Sequence, residues 1–221
     1  MLSLSTSYVE PVAAEVDNST ATTSRVAWEK RLLDVLVSGL LVLFVMVWLI
    51  PVLGLAIRLT SPGPALFVQV RTGRNGRLFR CLKFRTMTYD PKAQFKQATK
   101  NDCRVTRLGA FLRKTNLDEL PQVLNVLAGD MSLVGPRPHP IMLDAKHWNA
   151  LPGYPDRYAV KPGITGLAQV RGCRGETARL IDMAHRVRLD RFYIQKQSFW
   201  LDLKICWWTV TTMIKGDKKA F

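Results

Sequence analysis

Asp118 and Glu119 stand side by side in the stretch Arg113-Lys114-Thr115-Asn116-Leu117-Asp118-Glu119-Leu120-Pro121. Two adjacent carboxylates just after two cations could carry phosphoryl chemistry. A carboxylate that attacks phosphorus needs cations to screen the charge it approaches, and a divalent metal is the usual help. Arg113, Lys114 and Arg137 are candidates for the screening. Pro121 is tolerated in a first helical turn, so the sequence predicts a helix that begins at about Asn116 to Asp118. Free N–H groups at such a start also bind phosphate. Capping is the competing explanation, because acids in first turns are common and usually do no chemistry.

The elements around this pair follow from the pattern of apolar residues and breakers. Leu117, Leu120, Leu124 and Leu127 repeat at helical spacing, and Gly129 supplies a stop. Ser61-Pro62-Gly63-Pro64 is a rigid turn. Ala65–Val70 and Leu78–Arg85 read as strands of a hairpin around Gly73-Arg74-Asn75-Gly76. Gly135-Pro136-Arg137-Pro138 and Lys161-Pro162-Gly163-Ile164-Thr165-Gly166 are stiff loops, and a last helical stretch runs from about Glu176 to Ile214 with an interruption near Ser198. Phe199, Trp200, Trp207 and Trp208, with Lys204 and Lys215 nearby, suit a helix at a membrane interface as well as they suit a core.

A net charge of +15 over 221 residues calls for a polyanionic partner: nucleic acid, an anionic membrane surface or phosphorylated substrates. From Arg71 to Thr115 there are 13 Lys or Arg against two Asp, so most of the excess lies here. Cys81, Cys103, Cys173 and Cys206 form no Cys-x-x-Cys pair, which argues against a zinc site or a disulfide framework and for a reducing compartment. His139, His147 and His185 have no metal-binding spacing and read as structural.

Residues 1–27 read as a disordered tail without the basic start of a secretory signal. Val35 to Ile57 then runs 23 residues without a charge, long enough for a membrane segment. Pro51 sits inside this run with Gly54 behind it, so the helix is expected to kink or break there. Lys30 and Arg31 precede the run and Arg58 follows it, and basic flanks favour the cytoplasmic side. A helix that enters, bends at Pro51 and returns fits these facts; so does a tilted, kinked span.

The order of these blocks resembles the bacterial sugar transferase family, the monotopic phosphoglycosyl transferases, over about residues 30–215. The blocks are Lys30-Arg31 with Asp34, Ser61-Pro62-Gly63-Pro64, Lys83-Phe84-Arg85-Thr86-Met87, Arg104-Val105-Thr106-Arg107-Leu108-Gly109 and Leu117-Asp118-Glu119-Leu120-Pro121-Gln122. Gly129 to Pro138, Pro162 to Gly166, Gln169-Val170, Leu189-Asp190 and Asp202-Leu203-Lys204 complete the series. The resemblance implies an α+β, mostly helical fold: a re-entrant membrane helix-break-helix over 28–60 and a small cytoplasmic catalytic domain over 61–221, with a short β-hairpin and amphipathic interfacial helices. It implies transfer of a sugar-1-phosphate from a UDP-sugar to undecaprenyl phosphate with release of UMP, the initiating step of exopolysaccharide, capsule, O-antigen or glycoprotein glycan synthesis. By the same resemblance Asp118 is the nucleophile and a ligand of Mg²⁺, and Glu119 assists. Lys83, Arg113, Arg137, Gln169, Arg174 and Asp202 bind substrate, and Pro51 marks the membrane break. The implied setting is the cytoplasmic face of a bacterial inner membrane among its lipids, with no nucleic-acid partner and with a homodimer left open. Cys173 stands where the family usually carries Arg, and whether Arg174 reaches the same phosphate is left open by the sequence.

Overall fold

The computed structural model describes residues 22–92, 97–99, 102–173, 175 and 179–215. The chain opens with a long helix in two parts, α1 (Thr22–Leu41) and α2 (Val47–Thr60). Residues 1–21 of the expected tail lie outside the described residues, while its last six are already helical. From Trp28 to Thr60 the helix is long and apolar enough to cross a membrane. Most of its apolar side chains face outward, among them Leu36, Leu40, Leu43, Phe44, Trp48, Val52 and Leu55.

The helix is not broken at Pro51. Its ladder widens instead at Val42–Met46, where the Val47 N–H reaches back to the Val42 carbonyl, five residues away. Val47 is the residue four before Pro51, the place where the proline ring crowds the helix and withholds an N–H. A widened turn just ahead of that point gives the backbone room without ending the helix.

Both ends of this helix are bonded to the globular part. At the start, Lys30 Nζ donates to Asp202 at 2.6 Å and to the Val134 carbonyl at 2.7 Å. Arg31 donates to the carbonyls of Val126 and Leu127. Asp34 accepts from the Leu133 N–H at 2.9 Å and the Ser132 hydroxyl. At the other end the Arg85 guanidinium donates to the carbonyls of Ser61 and Pro62. Those are carbonyls of the helix end and the proline-glycine turn, which lack helical partners of their own.

Strands β1 (Leu66–Thr72) and β2 (Leu78–Phe84) form the expected antiparallel hairpin, with Leu66 opposite Phe84 and Thr72 opposite Leu78. Helix α3 (Arg107–Thr115) begins on Thr106, whose hydroxyl accepts from the Gly109 N–H. Helix α4 is Gln122–Ala128, ended by Gly129 at φ 92°, a left-handed conformation that glycine adopts without strain. A second, parallel pair not expected from the sequence joins β3 (Ser132–Val134) to β4 (Gly163–Thr165). Between them lies α5 (Ile141–His147), and after them come α6 (Leu167–Val170), α7 (Leu180–Lys196) and α8 (Phe199–Lys215). The break at Gln197–Ser198 lies where the sequence placed it.

One core gathers Val126, Met131, Val134, Leu167, Tyr193 and Ile205 from α4, β3, α6, α7 and α8, with Val37 of α1 against it. A second packs Tyr154, Tyr158, Met183 and Val187. The third joins Ile57 of α2 to Phe84 and Leu112. The aromatic residues of α8 divide between the two expectations: Trp200 and Trp207 are exposed and seven residues apart, whereas Trp208 packs on the first core and under Arg171.

Candidate active site

Asn116 adopts a left-handed conformation at φ 56° and ends α3, and the acids follow on a single 3-10 turn, Leu117–Glu119. The expected helix start is therefore displaced: α4 proper begins at Gln122, after Pro121. The turn is continuous with it, because Leu120 N–H bonds to Leu117 O and Val123 N–H to Leu120 O. Asp118 and Glu119 are thus carried at the near end of a short rigid rod, with the last turn of α3 beside them.

Three cations from three elements meet this turn. Lys83, near the end of β2, donates to Glu119 Oε1 at 2.7 Å. Arg137, on the loop after β3, forks onto both Glu119 oxygens, with Nη1 at 2.9 Å from Oε2 and Nη2 on Oε1. Such two-point pairing fixes both direction and distance. Arg113, in the last turn of α3, donates its Nε to Thr86 Oγ1 at 2.8 Å, and its charge acts on Asp118. Lys114 points to solvent. Asp118 has no hydrogen bond or ion pair among the described residues.

The electrostatics separate the two acids. Burial alone would raise the Glu119 carboxyl, but Arg137 and then Lys83 outweigh it and hold it well below the usual carboxylate range. For Asp118 burial dominates, Glu119 adds to it, and Lys83 only partly offsets it, so its pKa is pushed up to about 6. Glu119 is therefore a fixed anion that holds cations in place. Asp118 is a desolvated carboxylate with its lone pairs unused, which suits a nucleophile.

Supporting contacts set this geometry. Asn125 of α4 inserts its amide into the free edge of β2, accepting from the Leu82 N–H at 3.0 Å and donating to the Arg80 carbonyl at 2.8 Å. That joins the rod carrying the acids to the strand carrying Lys83. The Arg137 loop is held by glycines: Gly135 N–H bonds to Thr165 O and Gly163 N–H to Pro136 O, both at 2.9 Å. A Cβ at Gly163 would overlap the Gly135 backbone. Arg71 Nη1 donates to Pro138 O at 2.6 Å, and Arg157 Nη2 to Arg137 O at 2.8 Å. Arg157 is itself anchored on Asp190 at 2.8 Å. Asn125, Arg71 and Arg157 did not stand out in the sequence: Arg71 was one cation of the basic stretch 71–115, and Arg157 was a lone arginine, which only burial shows must be paired.

Asp202 and Gln169 have partners other than the acids. Asp202 is buried in another cluster, between Lys30 and the Tyr193 hydroxyl, which donates to it at 2.7 Å. Gln169 is buried on α6, its Nε2 donating to Ile164 O at 3.0 Å and its Oε1 without a partner. Arg174 lies outside the described residues. His139 is buried and in contact with Tyr154 and Arg157. No group of three or more His, Cys, Asp or Glu able to hold a metal occurs among the described residues. Asp118 alone offers a free carboxylate here. One carboxylate with substrate phosphates is an ordinary ligand set for Mg²⁺, so the residues fit that ion.

The family model of bacterial sugar transferases matches residues 25–216, and the chain belongs to that family. A UDP-glucose:undecaprenyl-phosphate glucose-1-phosphate transferase of Klebsiella pneumoniae is 50% identical over 182 residues, covering 82% of this chain and 39% of the relative. A protein of the same name from Caulobacter vibrioides is 50% identical over 190 residues, 85% of this chain and 70% of the relative. A third, from Escherichia coli, is 46% identical over 185 residues, 82% of this chain and 39% of that protein. The chain thus spans well under half the length of two of these relatives.

Proposed function

We propose that the chain transfers a sugar-1-phosphate from a UDP-sugar to undecaprenyl phosphate. The observation that carries this reading is the division of labour at one turn: a carboxylate with free lone pairs beside one that holds two cations. In the first step an Asp118 oxygen attacks the sugar-linked phosphorus, and the bond from that phosphorus to the bridging oxygen breaks. UMP leaves with the electron pair. In the second step an oxygen of undecaprenyl phosphate attacks the same phosphorus, the bond to Asp118 breaks, and the carboxylate is restored. Lys83, Arg113 and Arg137 lower the cost of bringing an anion to a diphosphate, because charges in this partly buried setting act more strongly than in water. Glu119 keeps Lys83 and Arg137 aimed. A Mg²⁺ bound by Asp118 and the substrate would neutralise diphosphate charge.

The names of the relatives support UDP-glucose as the first donor to test. The test is UMP release by the purified chain with undecaprenyl phosphate, Mg²⁺ and a panel of UDP-sugars. Release with UDP-glucose supports the full reading, release with another UDP-sugar corrects the donor, and no release with any of them contradicts the activity.

We also propose a monotopic seat on the cytoplasmic face. A straight span would carry the two helix ends to opposite sides of the membrane, yet Lys30 and Ser61 are both bonded to one globular part. The basic flanks and the exposed Trp200 and Trp207 agree with a helix that bends at the widened turn, without breaking, and keeps both ends on one face. Cysteine labelling near Ser24 from each side tests it: labelling from the cytoplasm alone is expected, and labelling from the periplasm alone would overturn it.

A further inference from the structure

We infer that Arg31, at the base of the membrane helix, is a positioning residue for the Asp118–Glu119 pair; this rests on the activity proposed above. The rod that carries the acids is only the 3-10 turn plus the seven residues of α4. A helix that short does not hold its shape alone, since isolated helices below ~12 residues are marginal in water. Its last carbonyls lack the partners a longer helix would give them, although Val126 O also accepts the N–H of the cap Gly129. Arg31 supplies two: Nη1 donates to Val126 O at 2.7 Å and Nη2 to Leu127 O at 2.9 Å. A guanidinium there also meets the negative end of the helix dipole.

The neighbouring residues of the same helical turn hold the other half of the site. Lys30 donates to Val134 O and Asp34 accepts from Leu133 N–H, fixing β3 three residues before Arg137. Residues 30, 31 and 34 therefore hold α4, which follows the acids, and β3, which leads into the Arg137 loop, while β2 brings Lys83 independently. The membrane helix is a part of the frame on which the site is built, and Arg31 is its only contact with the rod's far end through a charged side chain among the described residues.

The experiment uses the full chain in lipid nanodiscs, with UMP release read for Arg31→Met, Arg31→Lys and, as a control, Arg77→Met, which removes one exposed cation from the hairpin tip. Misplacement of catalytic groups predicts a kcat at least ~10-fold lower in both Arg31 variants with donor KM within ~2-fold, and no change in the control. Guanidinium ion at sub-denaturing concentration should restore part of the kcat of Arg31→Met, and ammonium should not. Should Arg31→Met fail to fold, Arg31→Lys decides by the same kcat comparison at unchanged melting temperature. A kcat within ~2-fold of the parent in a folded, membrane-bound Arg31 variant overturns the inference and leaves the transferase reading intact. A parent chain that releases no UMP overturns both.

Discussion

Asp118 and Glu119 share a peptide bond and little else: Glu119 is held by Lys83 and by both arms of Arg137, whereas Asp118 accepts no hydrogen bond among the described residues. The difference arises from direction. On a 3-10 turn successive side chains point about a third of a turn apart, so Lys83 and Arg137 bond to Glu119 and not to Asp118, although their charges act on both acids. One acid stabilises the arrangement of charge and the other is left to react.

The unused carboxylate is expected to cost stability. Burial pushes its pKa up to about 6, above the ordinary 3.8 of an aspartate, so the folded state binds the proton more tightly than the unfolded chain does. The associated stability is fully present below pH 3.8 and is lost as the pH rises through about 6. Asp118→Asn should therefore abolish turnover and yet stabilise the fold at pH 7.5 by at most about 3 kcal/mol, seen as a higher melting temperature. The gain should vanish near pH 4. A lower melting temperature at pH 7.5 would contradict the desolvated carboxylate.

The same group predicts a pH profile. UMP release needs the anion, so kcat/KM should be level above neutral pH and fall with unit slope below about 6. A measured descending limb near pH 4 would place Asp118 in a wetter or more strongly paired environment than the structure shows.

Glu119→Gln leaves Lys83 and Arg137 close together without their shared anion. Removing one partner of a buried pair leaves an uncompensated charge, here worth roughly 3 kcal/mol of stability. The melting temperature should fall and turnover should drop by at least ~100-fold, since Lys83 and Arg137 are no longer aimed at the phosphates. Melting curves and UMP release on the same preparation check both; a stable, active Glu119→Gln variant would contradict the role given to Glu119.

The glycine crossing beneath Arg137 gives a sharper contrast. Gly163→Ala puts a methyl group into the Gly135 backbone and should cost about 3 kcal/mol or more. Gly76→Ala, at φ 74° with open space around it, should cost only about 1 kcal/mol. Equal losses in thermal melting would mean that the loop yields more easily than its packing implies.

Much of this was legible in the sequence because it rests on local rules. The hairpin around Gly73–Gly76, the break at Ser198 and the apolar helix from Val35 follow from turn chemistry, helix limits and length. Asp118 and Glu119 stood out through their neighbours, although the left-handed Asn116 moved them off the start of α4 and onto a turn of their own. Contacts made at long range were not legible. The Lys30–Asp202 pair joins residues 172 positions apart, which no local pattern announces. The β3–β4 pair was hidden in two loops whose glycines allow backbones to touch. The persistence of the helix through Pro51 depends on a widened turn earlier in the helix, a rearrangement that no single residue announces.

The central claim is the covalent role of Asp118, and the most direct measurement is intact-protein mass after exposure to a UDP-sugar without the lipid acceptor. The account predicts one sugar-phosphate added per chain, UMP released in matching amount, the adduct mapped to Asp118, and its loss when undecaprenyl phosphate is supplied. UMP formed only when donor and lipid are both present, with no adduct at any time, would show direct transfer between substrates and contradict it.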